Sequence, residues 1–430
     1  MGKFDQHFKM QEADAMEYAV EKGFFDRNAA LSCKEIGDGN INYVFRVQEE
    51  DGEKSIIIKH ADIRIRSSQS LADTDHNRIE AEILKLEGEL APGLVPEVYL
   101  YDPVMCCLVM EDLKDYKNMR YEMIAHHVYP TFAEDISTFM ARTLMMTTDH
   151  VMDPDEKKGQ VKNFINPALC KITEDLVYTD PYTDCHGKNR LNPDNREFFE
   201  TELYRDEALR LEAAKLKDGF KANAQSLIHG DLHTGSIFVK EGATKVLDPE
   251  FAFYGPAGYD VGNVIANLIF AWASAEAAAH PAKEPAMGPT MEPTMEPEEV
   301  REDFQGWLEN TIEAVVDRFA EKSVKILKEQ ATDVMAQTEG FAEWFVDGVL
   351  SDTAGVAGLE LNRRIVGSAK VKDIDGIADA AQKAYAERIC VLAAKRFIME
   401  RNTSYRRGRD YIDTLRAVRE GLEEKERARS

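Results

Sequence analysis

Five short apolar runs, each bounded by turn-forming residues, occupy the first 112 residues and constrain the fold more than any other feature. Isoleucine and valine are frequent in these runs, and Gly-Asp or Asp-Gly steps separate the first three of them, so we interpret the runs as strands. The predicted strands cover residues 33–36, 43–47, 55–59, 95–101 and 107–110. A helix with Ile79, Ile83 and Leu84 on one side follows the third strand. This series predicts a small antiparallel sheet with one helix.

Helical spacing dominates after Leu113, notably over residues 132–149 and 196–225 and from Tyr259 to the end. Residues 236–240 and 245–248 are an exception, because they predict a hairpin around the turn 241–244. A chain of 430 residues is long for a single core. The sequence therefore predicts an α+β protein with two lobes.

The predicted boundary separates a small sheet-containing lobe, residues 1–112, from a larger mainly helical lobe, residues 113–430. Prolines recur at every fourth position from residue 281 to residue 297, and proline at that density cannot continue a helix. Residues 278–299 are therefore expected to be an extended or disordered insertion between helices.

The composition excludes several classes of function. A net charge of −25 disfavours broad nucleic-acid binding, because such a surface repels phosphate backbones. No apolar run approaches the ~20 residues that a membrane span requires, and the N-terminus has no apolar signal core. The six cysteines form no Cys-x-x-Cys pair, which indicates reduced structural thiols. We therefore expect a cytoplasmic protein that does not bind membranes.

Candidate nucleotide-binding residues lie in the predicted small lobe. Lys59 ends an apolar strand, and either Glu80 or Glu82 on the following helix could hold its ammonium group; we favour Glu80. A strand lysine paired with a helix carboxylate is the arrangement by which phosphoryl-transfer enzymes hold phosphates. A surface salt bridge is the alternative. The strand before the lobe boundary ends in Met110-Glu111-Asp112-Leu113. If the chain is a two-lobed kinase, this position links the lobes and its backbone groups would bind an adenine ring.

A glycine-rich segment, Gly37-Asp38-Gly39-Asn40, lies between the first two predicted strands. Its two glycines would let backbone N–H groups approach a phosphate, although the same residues also suit a plain hairpin turn.

The residues with the strongest chemical signal are His229-Gly230-Asp231, followed 17 residues later by Asp248-Pro249-Glu250. An acceptor hydroxyl must be oriented and lose a proton, which suits Asp231 as the base. Mg²⁺ prefers hard oxygen ligands, and Asp248 and Glu250 would supply two carboxylates from the end of one strand. A zinc site with His229 and His233 is the main alternative, but the spacing is compact and offers no clear third ligand. A loop without function is another.

These strings resemble known kinases of small molecules. The His-Gly-Asp motif is similar to that of aminoglycoside and choline kinases. The longer strings at 229–237 and 248–263, together with Arg363-Arg364 in the segment 360–367, resemble the 5-methylthioribose kinase family. The proline-rich insertion is not part of this pattern.

The resemblance implies a two-lobed protein-kinase-like fold, ATP and Mg²⁺ as cofactors, and transfer of the γ-phosphoryl group to the anomeric hydroxyl of 5-methylthioribose in methionine salvage. It also implies a homodimer. The implied ATP-binding residues are Gly37, Gly39, Asn40, Lys59, Glu80, Glu111, Asp112 and Leu113. The implied substrate-binding residues are Asp231, Arg363 and Arg364, and the implied metal ligands are Asp248 and Glu250. Two alternatives remain: a related kinase of choline, an aminoglycoside or homoserine, and a non-catalytic nucleotide-binding module.

Overall fold

The computed structural model describes residues 2–36, 42–62, 75–280 and 298–428. The chain forms two compact units that are not continuous in sequence. The first unit, which we call the sheet unit, contains Met1–Tyr116 and a later segment, Lys245–Ala252. The second, the helical unit, contains Lys117–Thr244 and Phe253–Ser430. The segment Lys245–Ala252 therefore returns to the unit formed by the start of the chain.

The sheet unit is built on five antiparallel strands in the order β1-β2-β3-β5-β4. Its elements in chain order are α1 (Glu12–Glu21), β1 (Leu31–Glu35), β2 (Asn42–Glu49), β3 (Ser55–Ala61), α2 (Asp75–Leu90), β4 (Val98–Asp102) and β5 (Cys107–Glu111). The five strands and the helix after the third strand confirm the predicted arrangement. The predicted α+β class is likewise confirmed, because a mainly helical unit follows.

The two faces of this sheet differ, as the alternation of side chains along β3 requires. Ile56 and Ile58 belong to a hydrophobic cluster that also contains Tyr18 and Ala19 of α1. Lys59 points to the opposite side of the strand, where α2 lies. The same alternation that buries the isoleucines therefore directs the lysine toward the helix.

The described part of the helical unit contains four short strands, the start of a fifth, and most of the helices. Its strands are β6 (Lys117–Asn118), β7 (Ser226–Ile228), β8 (Ile237–Lys240), β9 (Ala243–Val246, along which the chain passes into the sheet unit) and β10 (Phe253–Gly255). Its first helices are α3 (Met119–Ile124), α4 (Phe132–Met146), α5 (Pro154–Asn163), α6 (Pro167–Thr173), α7 (Asp180–Thr183), α8 (Arg196–Phe199) and α9 (Glu207–Ala222). The later helices are α10 (Gly258–Ala279), α11 (Glu298–Gln330), α12 (Phe341–Val366), α13 (Lys372–Asp375), α14 (Ala380–Glu400) and α15 (Gly408–Arg427).

Helix α12 lies between α10 and α14 at unusually short range, because glycines line both contacts. A Cβ atom added at Gly258 or Gly262 of α10 would lie 2.7 Å from a backbone atom of α12. A Cβ atom added at Gly358 of α12 would lie 2.6 Å from the carbonyl oxygen of Ala394 in α14. These close approaches fix α12, and with it the two arginines near its C-terminal end.

Helix α10 is long and apolar enough to cross a membrane by length and composition, so the expectation that no apolar run reaches such a length was wrong for this segment. Its apolar window is 83% buried within the structure. The helix also buries Asp260, Asn263 and Asn267, and the side chains of Asn263 and Asn267 donate hydrogen bonds to backbone carbonyls of their own helix. The burial and these polar residues are those of a core helix.

Several predicted boundaries are corrected by the structure. The predicted hairpin exists, but its turn has two residues, Glu241 and Gly242, because Gly242 adopts a positive φ of 71° that closes the turn early. The predicted helical stretch 196–225 is interrupted after a π-helical turn, and α9 begins only where the side chain of Asp206 accepts a hydrogen bond from a backbone N–H of its first turn. Of the predicted insertion 278–299, the first two residues belong to α10 and the last two to α11, and residues 281–297 lie outside the described residues.

Candidate active site

Lys59 of β3 is the centre of a buried cluster in the sheet unit. Its ammonium nitrogen lies 2.7 Å from one carboxylate oxygen of Glu80 in α2 and 2.9 Å from the other. The same nitrogen lies 2.9 Å from Oδ1 of Asp248. Glu82 instead forms an ion pair with Arg78, at 2.8 Å. The predicted pairing of Lys59 with Glu80 is therefore confirmed.

The neighbouring carboxylates keep the Lys59 ammonium group protonated. Burial alone would lower the pKa of the Lys59 ammonium, but Asp248, Glu80 and Glu250 raise it above its ordinary value. Lys59 is thus a permanent cation at neutral pH. Its side chain is 7% exposed and that of Glu80 is 0% exposed, whereas that of Asp248 is 43% exposed. The cluster therefore opens to solvent on the side of Asp248.

Asp248 does not lie at the end of a strand, so the predicted placement of the two acidic residues on one strand was wrong. Strand β9 ends at Val246, and Asp248 has a positive φ of 64°, which breaks the alternation that the prediction assumed. The carboxylate of Glu250 instead lies 3.5 Å from the side-chain amide nitrogen of Asn42. Asp248 and Glu250 still both act on Lys59 through their charges.

This donor set fits a hard divalent cation. Carboxylate oxygens are ligands that Mg²⁺ prefers, and Asp248 and Glu250 contribute two carboxylates, whereas the side-chain amide of Asn42 has its nitrogen toward Glu250 and its oxygen toward His76. The residues that would hold the metal are the two that the sequence indicated, and both lie close enough to Lys59 for their charges to raise its pKa. Their role as metal ligands stays a prediction.

The predicted adenine-binding segment already carries several contacts. The carboxylate of Glu111 accepts a hydrogen bond of 2.7 Å from Lys245, and that of Asp112 accepts two, of 2.8 and 2.9 Å, from the guanidinium group of Arg46. The carbonyl oxygen of Leu113 accepts a hydrogen bond from the backbone N–H three residues later. These contacts fix the segment and direct both acidic side chains to protein partners.

The glycine-rich segment, with its predicted nucleotide contacts at Gly37, Gly39 and Asn40, lies outside the described residues. The strands on either side of it, β1 and β2, pair in antiparallel register. Its predicted contact with phosphate groups stays a prediction.

The His-Gly-Asp motif forms a tight loop after β7 in the helical unit. Gly230 has a positive φ of 81°, which explains why glycine stands between the histidine and the aspartate. The buried carboxylate of Asp260, in the first turn of α10, accepts hydrogen bonds from the backbone N–H groups of His229, at 2.7 Å, and Gly230, at 3.0 Å. Asp260 therefore holds the loop that presents Asp231.

Asp231 faces the paired arginines of α12. The distance from Oδ1 of Asp231 to Nη2 of Arg363 is 3.8 Å. Arg363 and Arg364 are both held by Glu360, one turn earlier in the helix, which is fully buried. Arg363 contacts Glu360 through Nε and through Nη2, the latter at 3.2 Å, and Arg364 contacts it through Nε at 2.8 Å. One carboxylate thus positions both guanidinium groups, although adjacent residues diverge on a helix.

The surroundings of Asp231 keep its carboxylate ionised. Burial raises its pKa, but the charges of His233, Arg363 and Arg364 lower it to about 2. Burial lowers the pKa of His233 to about 4, so this imidazole is neutral at pH 7. At that pH the charges of Arg363 and Arg364 are therefore what keeps the Asp231 carboxylate ionised. His233 Nδ1 accepts a hydrogen bond from the backbone N–H of Ser236, so the proton of the neutral ring lies on Nε2, 3.5 Å from Oδ2 of Asp231.

The sequence analysis did not identify a third guanidinium group in this surrounding, that of Arg120 in α3. Its Nη2 donates to Asn267 at 3.1 Å, and its Nε lies 3.7 Å from the carboxylate of Asp373. Burial and the charge of Arg364 lower its pKa. No motif surrounds Arg120 in the sequence, whereas Glu360 could have been inferred, since it precedes the paired arginines by one helical turn.

Comparison with known proteins agrees with this geometry. A family model described as "Phosphotransferase enzyme family" matches residues 32–284. A methylthioribose kinase of Geobacillus sp. (strain WCH70) is 36% identical over 396 residues, which are 92% of each chain. The chain belongs to the methylthioribose kinase family. A second methylthioribose kinase, from Yersinia pseudotuberculosis serotype O:3, is 35% identical over 390 residues, 90% of this chain and 91% of that one.

Among solved structures, a choline kinase from Cryptosporidium parvum Iowa II aligns with this chain at 11% identity and a TM-score of 0.46. The alignment covers 95% of this chain and 98% of the choline kinase. The assignment to the family rests on the sequence relatives.

Proposed function

We propose that the protein transfers the γ-phosphoryl group of ATP to the anomeric hydroxyl of 5-methylthioribose, giving 5-methylthioribose 1-phosphate. The observation that carries this proposal is the carboxylate of Asp231, kept ionised beside Arg363 and Arg364 in a chain whose relatives are methylthioribose kinases. A sugar hydroxyl needs an anionic acceptor for its proton, and a phosphoryl group in transfer needs nearby positive charge.

The low pKa of Asp231 limits its part in the reaction. Because the arginines lower the pKa of Asp231 below its ordinary value, its carboxylate is a weak base toward a free hydroxyl. It can accept a hydrogen bond from the hydroxyl and so orient the oxygen toward the phosphorus. As the oxygen–phosphorus bond forms and the bond to the leaving ADP oxygen breaks, the attacking oxygen becomes acidic, and its proton passes to Asp231. Proton transfer is therefore late, as a loose transition state favours.

The paired arginines would neutralise charge on the substrate side. Arg363 and Arg364 are fixed by Glu360, so their guanidinium groups need little reorganisation when a phosphoryl group arrives. Arg363 is oriented toward Asp231, and we assign it to the transferring group. We assign Arg364 to the substrate.

We assign the Lys59 cluster to the nucleotide. Lys59 would contact the phosphates, with Glu80 holding its ammonium group in position, as strand lysines do in kinases. Asp248 and Glu250 would hold Mg²⁺, which neutralises charge on the phosphates when bound. Since Asp248 now pairs with Lys59, binding of the metal and nucleotide would exchange that pair for new contacts.

The remaining nucleotide contacts are assigned by the resemblance. They are Gly37, Gly39 and Asn40 for the phosphates, and the backbone of Glu111, Asp112 and Leu113 for the adenine. A homodimer in the cytoplasm also stays a prediction, and light scattering of the purified protein tests the dimer.

An ATP-consumption assay with Mg²⁺ tests the proposed function on five acceptors: 5-methylthioribose, ribose, choline, homoserine and kanamycin. Turnover with 5-methylthioribose alone is the expected result. Turnover with a different acceptor would keep the kinase activity and refute the substrate. Nucleotide binding with no turnover on any acceptor would favour the non-catalytic alternative.

A further inference from the structure

A cluster of metal-ligating side chains lies outside the residues assigned to phosphoryl transfer. Asp180, Cys185 and His186 place one ligand atom each within 4.8 Å of one another. All three belong to the segment 180–190 of the helical unit, which we call the 180s loop. It begins with the short helix α7 and turns at Asp184, whose positive φ of 46° is rare for a residue other than glycine.

The separations between the ligand atoms are close to those of a tetrahedral zinc site. The sulfur of Cys185 lies 3.6 Å from Nδ1 of His186 and 3.8 Å from Oδ1 of Asp180. With zinc–ligand bonds of 2.0–2.3 Å, tetrahedral geometry places sulfur about 3.6 Å from both the nitrogen and the oxygen. The oxygen and nitrogen are now 2.6 Å apart, at hydrogen-bond distance, and would separate by roughly 0.8 Å around the metal.

The carboxylate of Asp180 provides a second, independent observation. Asp180 is 2% exposed, and its Oδ2 is buried without a hydrogen-bond partner among the described residues. A buried carboxylate oxygen that lacks a donor is costly, and a cation bound beside it would remove that cost. A hydrogen bond from His186 alone leaves this oxygen unsatisfied.

The loop is also fixed in shape before any ligand binds. The backbone N–H of Asp184 donates to the carbonyl of Asp180 at 2.9 Å, and the carboxylate of Asp184 accepts from the backbone N–H of Asn189 at 3.0 Å. The side-chain amide of Asn189 donates to the carbonyl of Asp180 at 2.6 Å. A metal would therefore bind to a loop that its own hydrogen bonds already shape.

We propose that Asp180, Cys185 and His186 bind one zinc ion, with the remaining position open to water. A thiolate and an imidazole favour zinc over Mg²⁺, which prefers oxygen ligands. Binding displaces the thiol proton of Cys185 to solvent, and ligation through Nδ1 of His186 requires that the ring carry its proton on Nε2. Cys185 and His186 are both exposed, which gives the ion access from solvent.

The site would stabilise the helix that carries the paired arginines. The hydroxyl of Tyr182 accepts a hydrogen bond of 3.0 Å from Asn362, and the backbone N–H of Arg190 donates to the carbonyl of Val366 at 2.8 Å. The 180s loop is thus attached at two points to the C-terminal part of α12. Zinc that restrains the loop is expected to raise the melting temperature of the protein.

The test is a zinc titration of the full chain, freed of any histidine tag and treated with a chelator, against a chromophoric competitor and without nucleotide. One equivalent is expected to bind, and binding is expected to strengthen as pH rises, because protons are released. Cys185→Ser and His186→Gln are expected to weaken binding by roughly 10–100-fold or more. Cys33→Ser, in the sheet unit, is the matched thiol control and is expected to bind as the unchanged protein does.

Two further measurements separate this site from other sources of binding. Asp248→Asn is expected to retain the bound zinc, whereas loss of zinc in that variant would place the ion at the acidic residues of the sheet unit and overturn the proposal. Co²⁺ is expected to give thiolate charge-transfer absorption that Cys185→Ser abolishes. Absence of that absorption, or equally tight zinc binding in Cys185→Ser, would also overturn it. Neither result depends on which acceptor the enzyme phosphorylates.

Discussion

Replacement of Glu360 by glutamine tests whether one buried carboxylate holds both arginines of α12. Glutamine keeps the shape of the side chain but replaces one oxygen by an NH₂ group. That group is a donor, and it would face the donors of Arg363 or Arg364. The variant also leaves the guanidinium groups of Arg363 and Arg364 without the negative charge of Glu360. The remaining ion pair is that between Arg363 and Asp231, whose atoms lie 3.8 Å apart.

Removal of one partner from a buried ion pair costs about 3–5 kcal/mol. The helical unit has about 300 residues, so at roughly 2.1 cal/mol/K of unfolding entropy per residue each kcal/mol lowers its melting temperature by about 1.6 °C, and a decrease of about 5–8 °C is expected. The pKa of Glu360 is below its ordinary value, so its ion pair stabilises the protein above the unfolded pKa and is lost only as pH falls through the folded pKa. The deficit is therefore expected to persist across neutral pH and to shrink only in acid.

Turnover in Glu360→Gln is expected to fall as well, because Arg363 is then free to move onto Asp231. The assays are thermal melting from acid to neutral pH and the rate of ATP consumption with 5-methylthioribose. Glu343→Gln is the matched control, since Glu343 lies at the exposed start of the same helix and, within the described part of the chain, its ion pair is with Lys328 at the surface. If Glu360→Gln melts at the same temperature as this control, the carboxylate does not hold the arginines.

Three other substitutions, the third with a matched control, test separate parts of the structure. Lys59→Met is expected to weaken ATP binding, and unchanged ATP affinity, measured by calorimetry, would contradict the assignment of Lys59 to the nucleotide. The variant is also expected to melt at a lower temperature, because Glu80 loses its Lys59 partner inside the protein. Asp231→Asn is expected to keep ATP binding and lose roughly 10²–10⁴-fold in turnover. In the unchanged enzyme the pKa of Asp231 is about 2, so protonation of this carboxylate should not lower the rate above about pH 4. Gly262→Ala is expected to destabilise by about 1–3 kcal/mol in denaturant unfolding, because the added Cβ lies 2.7 Å from a backbone oxygen of α12. Gly348 lies in α12, and a Cβ atom added there meets no atom within 4 Å, so Gly348→Ala should instead stabilise α12 by about 0.5–1 kcal/mol. Equal effects of Gly262→Ala and Gly348→Ala would refute the packing argument.

The contacts that the sequence predicted well are those set by local periodicity. Lys59 alternates with buried isoleucines, so its face of the sheet could be predicted, and Glu80 lies one position after the buried Ile79 of α2. The motif around Asp231 was found because an acidic residue follows His-Gly at the end of an apolar run and a hairpin and a second acidic pair follow it in the chain. Local sequence patterns were therefore sufficient to identify these residues as candidates for the site.

The features that the sequence did not predict depend on backbone strain or on distant contacts. The positive φ of Asp248 removes this residue from the strand pattern, and no propensity rule expects an aspartate before proline to adopt it. Arg120 lies near the paired arginines only because the fold brings α3 close to α12 and α13. The support of the His-Gly-Asp loop by Asp260 spans about 30 residues and cannot be inferred from spacing.

The division of the sheet unit into two chain segments has a consequence for synthesis on the ribosome. The acidic residues that neutralise Lys59 in the finished protein include Asp248, which is made 189 residues after it. Among the described residues, Glu80 and Asp248 are the carboxylates paired with the buried Lys59, and until Lys245–Ala252 leaves the ribosome Asp248 is missing and the unit is incomplete. An N-terminal fragment ending near Tyr116 would share that condition permanently. Folding of the sheet unit must therefore finish after synthesis has passed far into the helical unit, contrary to the usual order in which an N-terminal domain folds first.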